Sequence, residues 1–296
     1  MNLFENHIPL EKVKQNEPLK DHTYIQLGGK ADILIHPTTK DEIKSIVEIA
    51  KKQQLPVAVI GKGSNVIIKD SGIRGITISL SHFDQIQVSG NNMVAQSGAN
   101  IMDVSSMALD HSLTGLEFAC GIPGSTGGAL YMNAGAYGGQ MAEVVERASV
   151  ITKDGEVLDI PRADMKLGYR DSIFRTNDYI ILEVELKLAQ GNQDVIYSIM
   201  QDLTFKRQSK QPLEYPSCGS VFKRPEGHFV GKLIQDCNLQ GTRIGGAEIS
   251  LKHAGFIINA DHATADDYLE LIQLIKQKVY EAFKIDLETE VIILGE

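Results

Sequence analysis

The stretch GIPGSTGGALYMNAGAYGG, residues Gly121 to Gly139, contains seven glycines and one proline. Ordering a glycine costs more backbone entropy than ordering any other residue, and a dense cluster with so little charge is a poor linker. A better explanation is a backbone folded closely against a flat or phosphorylated ligand, where side chains would not fit. On that view, valine at Gly127 or Gly128 displaces the ligand before it disturbs the fold. A purely structural set of turns is the alternative. We call residues 121–139 the glycine-rich segment.

A second glycine turn, GKGSN (residues 61–65, the GKGSN loop), follows the short apolar run Val57–Ile60. Two separated glycine loops predict one large cofactor that is contacted twice. The dinucleotide motif G-x-G-x-x-G is absent, because Val66 stands at its third glycine position and another predicted strand follows instead of a helix. A Rossmann domain is therefore rejected, and an ordinary strand–turn–strand corner is the alternative.

Composition narrows the classes of function. The chain has 296 residues, 43% hydrophobic residues and a net charge of −9, which suits two or three globular domains and argues against nucleic-acid or anionic-membrane binding. No apolar run approaches the ~20 residues of a membrane span, and the N-terminal sequence lacks the pattern of a signal peptide. Cys120, Cys218 and Cys237 lack paired spacing, so we expect reduced thiols in a cytoplasmic protein and no metal site.

Local patterns predict alternating helices and strands. Predicted elements are a helix opened by Thr39 and Glu42, a helix from Asn100 to His111, a hairpin turning at Asp154–Gly155, a strand Tyr179–Leu188, helices Asp194–Lys210 and from Thr264, and a closing strand Val291–Leu294. We expect three domains: a first lobe at 1–80, to which 291–296 return, a second lobe at 81–203, and a third domain at 204–290.

Two further motifs carry candidate chemistry. In GYRDSIF, the guanidinium of Arg170 suits recognition of a carboxylate, although a surface ion pair with Asp171 is an equal alternative. YPSCGSVFKRP presents Ser220 without a G-x-S-x-G elbow, so hydrolase chemistry is not indicated. Cys218 is expected to be a packing residue.

Together these pieces resemble the UDP-N-acetylenolpyruvoylglucosamine reductase family of bacterial cell-wall synthesis. The resemblance rests on TYIQLGGKAD, GKGSNVII, GIPGSTGGALYMNAGAYGG, GYRDSIF, CGSVFKRP, GGAEISLKHAGFIIN and LETEVIILG, in this order. It implies an α+β fold, with a two-lobed FAD-binding domain of the vanillyl-alcohol-oxidase type and a smaller α+β substrate-binding domain. It also implies NADPH-dependent reduction of an enolpyruvyl ether to a lactyl ether, giving UDP-N-acetylmuramate for peptidoglycan.

The resemblance also implies roles for individual residues. Ser220 matches the serine that protonates the substrate, and Arg170 and Glu290 match the pair that stabilises the intermediate. The implied FAD-binding residues are Gly61, Lys62, Gly63, Ser64, Asn65, Gly121, Ile122, Pro123, Gly124, Ser125, Gly127, Gly128, Asn133, Ala134, Gly135 and Ala136. The implied substrate-binding residues are Tyr169, Lys232, Lys252, His253 and Asn259.

Further expectations follow from the same resemblance. FAD is expected to bind noncovalently, NADPH and the UDP-sugar to use one pocket in turn, and no protein partner to be obligatory. The family's extra tyrosine-bearing loop is absent, so the chain resembles the shorter form. Thr289 and Thr126 depart from the family's usual proline and valine without removing a functional side chain. The alternatives are an FAD oxidase of the same domain type and a non-catalytic flavin or UDP-sugar sensor.

Overall fold

The computed structural model describes residues 3–4 and 7–296, so four residues of the predicted first lobe lie outside it. The chain divides into two compact units. The first comprises Met1–Gln15, Ile33–Lys62 and Gly75–Arg207, and the second comprises Asn16–Asp32, Gly63–Arg74 and Gln208–Glu296. The predicted division into three domains, with boundaries near residues 80 and 203, stays a prediction.

The described residues form helices and strands in alternation. The helices are α1 (Lys40–Gln53), α2 (Ile101–Asp110), α3 (Thr126–Tyr131), α4 (Gln193–Lys210), α5 (Val230–Asp236) and α6 (Ala265–Phe283). The strands are β1 (Val13–Pro18), β2 (Lys30–Ile35), β3 (Val57–Ile60), β4 (Val66–Ile68), β5 (Ile73–Ser79), β6 (Ile86–Ser89), β7 (Asn92–Gln96), β8 (Leu113–Thr114), β9 (Gly135–Ala136), β10 (Gly139–Gln140), β11 (Val145–Thr152), β12 (Val157–Pro161), β13 (Tyr179–Lys187), β14 (Ala189–Gln190), β15 (Ser217–Ser220), β16 (Arg243–Ile244), β17 (Ala247–Ile249), β18 (Phe256–Asn259) and β19 (Ile292–Leu294).

A five-stranded antiparallel sheet organises much of the first unit. Its order is β12-β11-β13-β7-β6, and the predicted hairpin is β11 and β12, which pair from Arg147↔Pro161 to Ile151↔Val157. Buried apolar side chains of α2, α3, β11 and β13 share one core cluster. This burial stabilises the sheet because apolar surface leaves water. The predicted strand Tyr179–Leu188 is confirmed as β13.

Helix starts follow the predicted capping residues. Thr39 accepts a hydrogen bond from the amide of Glu42 at 3.2 Å, but the Glu42 carboxylate accepts from the amide of Thr38 at 2.7 Å. Only half of the predicted capping box therefore forms at α1. At α6 both halves form, since Asp267 accepts from the amide of Thr264 at 3.0 Å and Thr264 accepts from the amide of Asp267 at 3.1 Å.

The second unit contains a four-stranded antiparallel sheet of order β15-β18-β17-β16. Buried residues of α6, including Tyr268, Leu271 and Ile275, join the core cluster of this unit. The closing strand β19 pairs in parallel with β4, with Ile292 opposite Val66. The end of the chain is thereby fixed beside the residues that follow the GKGSN loop.

No helix within the described residues is both long and apolar enough to span a membrane. The short helix α3 is an element that sequence reasoning did not predict. It lies inside the glycine-rich segment, with Ser125 as its N-cap and with Thr126, Ala129 and Leu130 buried. Capping and burial therefore outweigh the poor helix propensity of two adjacent glycines.

Candidate functional site

The GKGSN loop presents backbone amides without partners. It joins the end of β3 to the start of β4, and among the described residues no acceptor takes a hydrogen bond from any amide of residues 61–65. Partly buried amides are rarely left unsatisfied in a folded protein. Successive amides of this kind suit the oxygens of a phosphorylated ligand.

Glycine is required in this loop by the protein's own packing. A Cβ on Gly61 would overlap the Ser125 Oγ, and one on Gly63 would overlap the carbonyl oxygen of His22. Gly63 also has a φ of 65°, which disfavours other residues. The loop is therefore held in place by contacts that only glycine permits.

Two adjacent glycines of the glycine-rich segment differ in how closely the protein packs around them. A Cβ on Gly127 would lie 2.6 Å from the Cβ of Ser97, and the Gly127 amide donates to the Ser97 carbonyl at 2.9 Å. A Cβ on Gly128 would meet only the Ser125 Oγ, at 3.2 Å, and Gly128 is exposed. The expectation that valine at Gly127 would spare the fold is wrong, because the protein itself fills that space.

The turn before α3 contains backbone amides that could donate hydrogen bonds to a ligand. The amides of Gly121, Gly124 and Ser125 donate to no described acceptor, whereas that of Thr126 donates to the Ala99 carbonyl at 2.8 Å. The Ser125 hydroxyl accepts from the amide of Gly128 at 3.2 Å. Residues 121–125 therefore resemble the GKGSN loop in offering backbone donors.

Arg170 is held beside the second half of the glycine-rich segment. Its Nη2 donates to the Gly135 carbonyl at 3.0 Å. Asn133, which is buried, donates to the Gly168 carbonyl at 2.8 Å and accepts from the amide of Ala142 at 2.9 Å. The Asn133 side chain thus positions the Arg170 loop.

The Arg170 loop is a tight turn. Gly168 and Asp171 form an isolated bridge, and Arg170 has a φ of 54°. Arg175 donates to the Arg170 carbonyl at 2.8 Å and forms an ion pair with Asp171 at 3.8 Å. The neighbouring Tyr169 is exposed, with its ring centroid 5.3 Å from the Arg170 guanidinium carbon. These contacts orient the guanidinium without burying the tyrosine ring.

Ser220 and Glu290 lie on neighbouring stretches of the second unit. The amide of Glu290 donates to the carbonyl of Val221 at 2.8 Å, and Phe222 forms an isolated bridge with Thr289. Asn65 of the GKGSN loop donates to the Glu290 carbonyl at 3.2 Å. Ser220 ends β15 and is exposed. We call residues 217–224 the Ser220 segment.

Two cations follow Ser220 along the chain. The Lys223 ammonium donates to the Glu288 carboxylate at 2.6 Å. The Arg224 guanidinium stacks over the Phe229 ring, with 3.9 Å between its central carbon and the ring centroid. Cys218 is a buried core residue, and burial raises its pKa to about 12. A neutral buried thiol is inert, as expected for a packing residue.

The remaining predicted substrate residues differ in their contacts. Lys232 pairs with Asp236 at 2.5 Å, and the Lys252 ammonium donates to the Gln208 carbonyl at 2.9 Å. Asn259 donates to the Ile25 carbonyl at 3.0 Å and accepts from the amide of Ala263 at 2.8 Å. Burial lowers the pKa of His253, whose Nδ1 accepts from the amide of Gly255 at 3.1 Å. Asn259 and His253 therefore use these polar atoms within the protein.

Each unit gathers its own group of predicted residues. The first holds Arg170 against the glycine-rich segment, with Tyr169 beside it, and the second holds Ser220, Glu290 and Asn65 together. Arg207, which contacts Gly121, is a candidate that motif reasoning missed. Within residues 3–4 and 7–296, no cluster of histidine, cysteine or carboxylate side chains could hold a metal ion.

Two family models match this chain. Residues 31–161 match the FAD binding domain, and residues 211–294 match the C-terminal domain of UDP-N-acetylenolpyruvoylglucosamine reductase. The first match includes the GKGSN loop and the glycine-rich segment. Their partnerless amides fit the oxygens of a dinucleotide such as FAD.

Similar proteins cover nearly the whole chain. UDP-N-acetylenolpyruvoylglucosamine reductase 2 of Bacillus anthracis is 58% identical over 98% of this chain and 95% of its own length. UDP-N-acetylenolpyruvoylglucosamine reductase of Staphylococcus aureus (strain COL) is 53% identical over 98% of this chain and 94% of its own length.

Comparison with solved structures points to the same family as these similar sequences. UDP-N-acetylenolpyruvylglucosamine reductase from Thermus caldophilus has a TM-score of 0.83 at 31% identity, covering 96% of this chain and 98% of its own. Phl p 4.0202, a glucose dehydrogenase, has a TM-score of 0.54 at 16% identity, covering 64% and 44%, which shows a likeness of fold alone. The predicted α+β class with an FAD-binding domain is confirmed.

Proposed function

The chain belongs to the UDP-N-acetylenolpyruvoylglucosamine reductase family, and we propose that it uses NADPH to reduce UDP-N-acetylglucosamine enolpyruvate to UDP-N-acetylmuramate. It is an FAD-containing oxidoreductase of peptidoglycan synthesis. The UDP-sugar and NADPH are its proposed small-molecule partners, using one pocket in turn, with no obligatory protein partner. The cytoplasmic location predicted from the cysteines stays a proposal.

The observation that carries the catalytic assignment is the hydrogen bond from the Glu290 amide to the Val221 carbonyl at 2.8 Å. It joins the backbone directly after Ser220 to the backbone at Glu290, although these residues are far apart in sequence. It thus supports a shared catalytic role for a hydroxyl and a carboxyl group.

When bound, FAD would carry hydride from NADPH to the terminal carbon of the enolpyruvyl group. Negative charge then builds on the adjacent carbon of the substrate and spreads into its carboxylate. Arg170 would hold that carboxylate through its guanidinium. A Glu290 carboxyl in its protonated form would donate a further hydrogen bond, and fixed donors aimed at developing charge are strongly catalytic.

Ser220 would complete the reaction by donating its hydroxyl proton to the adjacent carbon. The hydride and this proton together saturate the double bond and give the lactyl ether. A serine hydroxyl is a weak acid, so a nearby cation would assist it. Lys223 and Arg224, in the same segment, are the candidates for that role.

FAD is proposed to bind noncovalently. Neither glycine loop contains a histidine, and the Cys120 Sγ lies 3.6 Å from the Thr204 hydroxyl and 3.5 Å from the Met200 carbonyl. Acid precipitation should therefore leave the flavin in the supernatant. Yellow colour that stays with the denatured pellet would contradict this binding mode.

The reaction is tested by incubating the purified chain with NADPH and the enolpyruvyl UDP-sugar without oxygen. Mass spectrometry should detect UDP-N-acetylmuramate, formed together with an equal amount of NADP⁺. Unchanged substrate, with NADPH consumed only when oxygen is admitted, would favour the oxidase alternative. A protein that binds flavin but consumes no NADPH would favour the sensor.

A further inference from the structure

The side chain of Arg207 lies against the first residue of the glycine-rich segment. Arg207 belongs to α4, and a Cβ placed on Gly121 would lie 2.9 Å from its Cδ and 3.9 Å from its Nη1. The absence of a side chain at Gly121 therefore leaves space that the arginine stem occupies. The contact brings a guanidinium to the start of a segment with available backbone amides.

Arg207 is half-buried, and its guanidinium lacks the partners that a cation in such a place normally has. Its Nε is buried without a hydrogen-bond partner, and no carboxylate of the described residues pairs with it. By contrast, Arg147 is exposed and lies 2.7 Å from Glu185 and 3.4 Å from Asp159. Burial lowers the pKa of Arg207, against the opposite influence of Tyr137 and Cys120.

Partly burying a cation without a counter-charge costs stability, because the charge loses part of its hydration. A bound anion beside the guanidinium would offset that cost. The amides of Gly121, Gly124 and Ser125, which donate to no described acceptor, lie in the same turn. A cation together with several backbone donors suits an anionic oxygen-rich or nitrogen-rich group.

We propose that Arg207 is a binding residue for an anionic group of FAD. The inference rests on FAD binding by this chain, which the wild-type protein tests separately. FAD offers two sources of negative charge: its diphosphate in every redox state, and its ring system only after reduction. Arg207 binds whichever of these two groups, the diphosphate or the reduced ring system, lies beside Gly121.

The test compares three variants of the full chain. Arg207→Met keeps a stem that can pack on Gly121 but removes the charge, and Arg207→Lys keeps the charge. Lys206→Met is the matched control, because it removes one positive charge from the neighbouring position of α4, where Lys206 pairs with Asp202 at 2.5 Å. FAD affinity is measured by fluorescence titration of the apoprotein, and the midpoint potential by equilibration with a reference dye.

Arg207→Met should weaken FAD by about 10- to 100-fold, the scale of a charge-assisted hydrogen bond. Equal weakening of oxidised and reduced FAD identifies the diphosphate. Weakening of reduced FAD alone identifies the ring and lowers the midpoint potential by about 30 mV for each tenfold change. Arg207→Lys should lie between Arg207→Met and wild type, and Lys206→Met should match wild type.

Unchanged affinity and potential in Arg207→Met would overturn the proposal, provided that the wild-type protein binds FAD. Wild-type protein that fails to bind FAD would instead refute the proposed function. Thermal unfolding of the apoprotein adds an independent check. Arg207→Met should melt at the same or a higher temperature, since it removes an uncompensated charge. A lower melting temperature would show a structural role and would also overturn the proposal.

Discussion

The glycine-rich segment and the Ser220 segment offer different chemical groups: backbone amides in the first and a side chain in the second. In residues 121–125 the available groups are backbone amides, and the glycines set how closely anything can approach. In residues 217–224 the functional candidate is a side chain, and Glu290, which is distant in sequence, donates a backbone hydrogen bond to Val221 of this segment. We infer that the first segment binds the cofactor and the second supplies the proton.

The largest effect is expected in the Ser220 segment. Ser220→Ala should lower steady-state turnover by about 10²- to 10⁴-fold, because general acid catalysis contributes on that scale. Turnover is measured as NADPH consumption with saturating substrate. Ser217→Ala, in the same strand, is the control and should keep near-normal turnover. Comparable losses in both variants would indicate a general disturbance of β15.

A smaller effect should separate two neighbouring glycines. Gly127→Val forces a branched side chain into Ser97 and should lower the free energy of unfolding by about 1–3 kcal/mol, as overpacking does. Gly128→Val meets only the Ser125 Oγ, at 3.2 Å on an exposed face, and should largely keep the apoprotein's stability while weakening FAD by about tenfold or more. Chemical denaturation and flavin titration measure the two quantities.

The comparison of the two glycines fails if both variants unfold alike and bind FAD alike. A Gly128→Val protein with full FAD affinity would show that the exposed face of α3 does not meet the cofactor. The remaining candidates would then be the amides of residues 61–65 and 121–125.

The sequence predicts a helix or strand well where the residues that determine it lie close to it in the chain. The β11–β12 hairpin, β13, α2, α4 and α6 follow from turn residues, caps and apolar periodicity close to them in the chain. The helix α3 was missed, because Gly127 and Gly128 lower local helix propensity and its stability comes from burial. Longer-range contacts decide such cases.

In the candidate site too, sequence motifs reveal local features, whereas contacts between distant residues require the structure. Motifs identified the glycine loops, Arg170, Ser220 and Glu290 as candidates, and the structure adds contacts that support their placement. Sequence could not show that Gly127 faces Ser97, since the partner lies on another element. Nor did the sequence analysis single out Arg207, which lies among other basic residues, Lys206 and Lys210, near the end of α4.

The smallest predicted effect concerns pH. Burial lowers the pKa of His253 below its unfolded value of about 6.5, so the unfolded chain binds more protons between these two pKa values. Stability should therefore decrease as the pH falls through that window, and His253→Gln should remove this part of the dependence. Unfolding midpoints from pH 7 to pH 5 measure it; identical slopes in both proteins would contradict the assignment.

We assign cofactor binding to the glycine-rich segment and proton donation to the Ser220 segment. Stopped-flow absorbance of the flavin in Ser220→Ala tests this assignment most directly. The first step, bleaching by NADPH, requires bound FAD but no proton from Ser220. The second step, reoxidation by the enolpyruvyl substrate, requires that proton. We expect near-normal bleaching and reoxidation slowed by at least about 100-fold. Equal slowing of both steps, or normal reoxidation, would contradict the assignment of Ser220 as the proton donor.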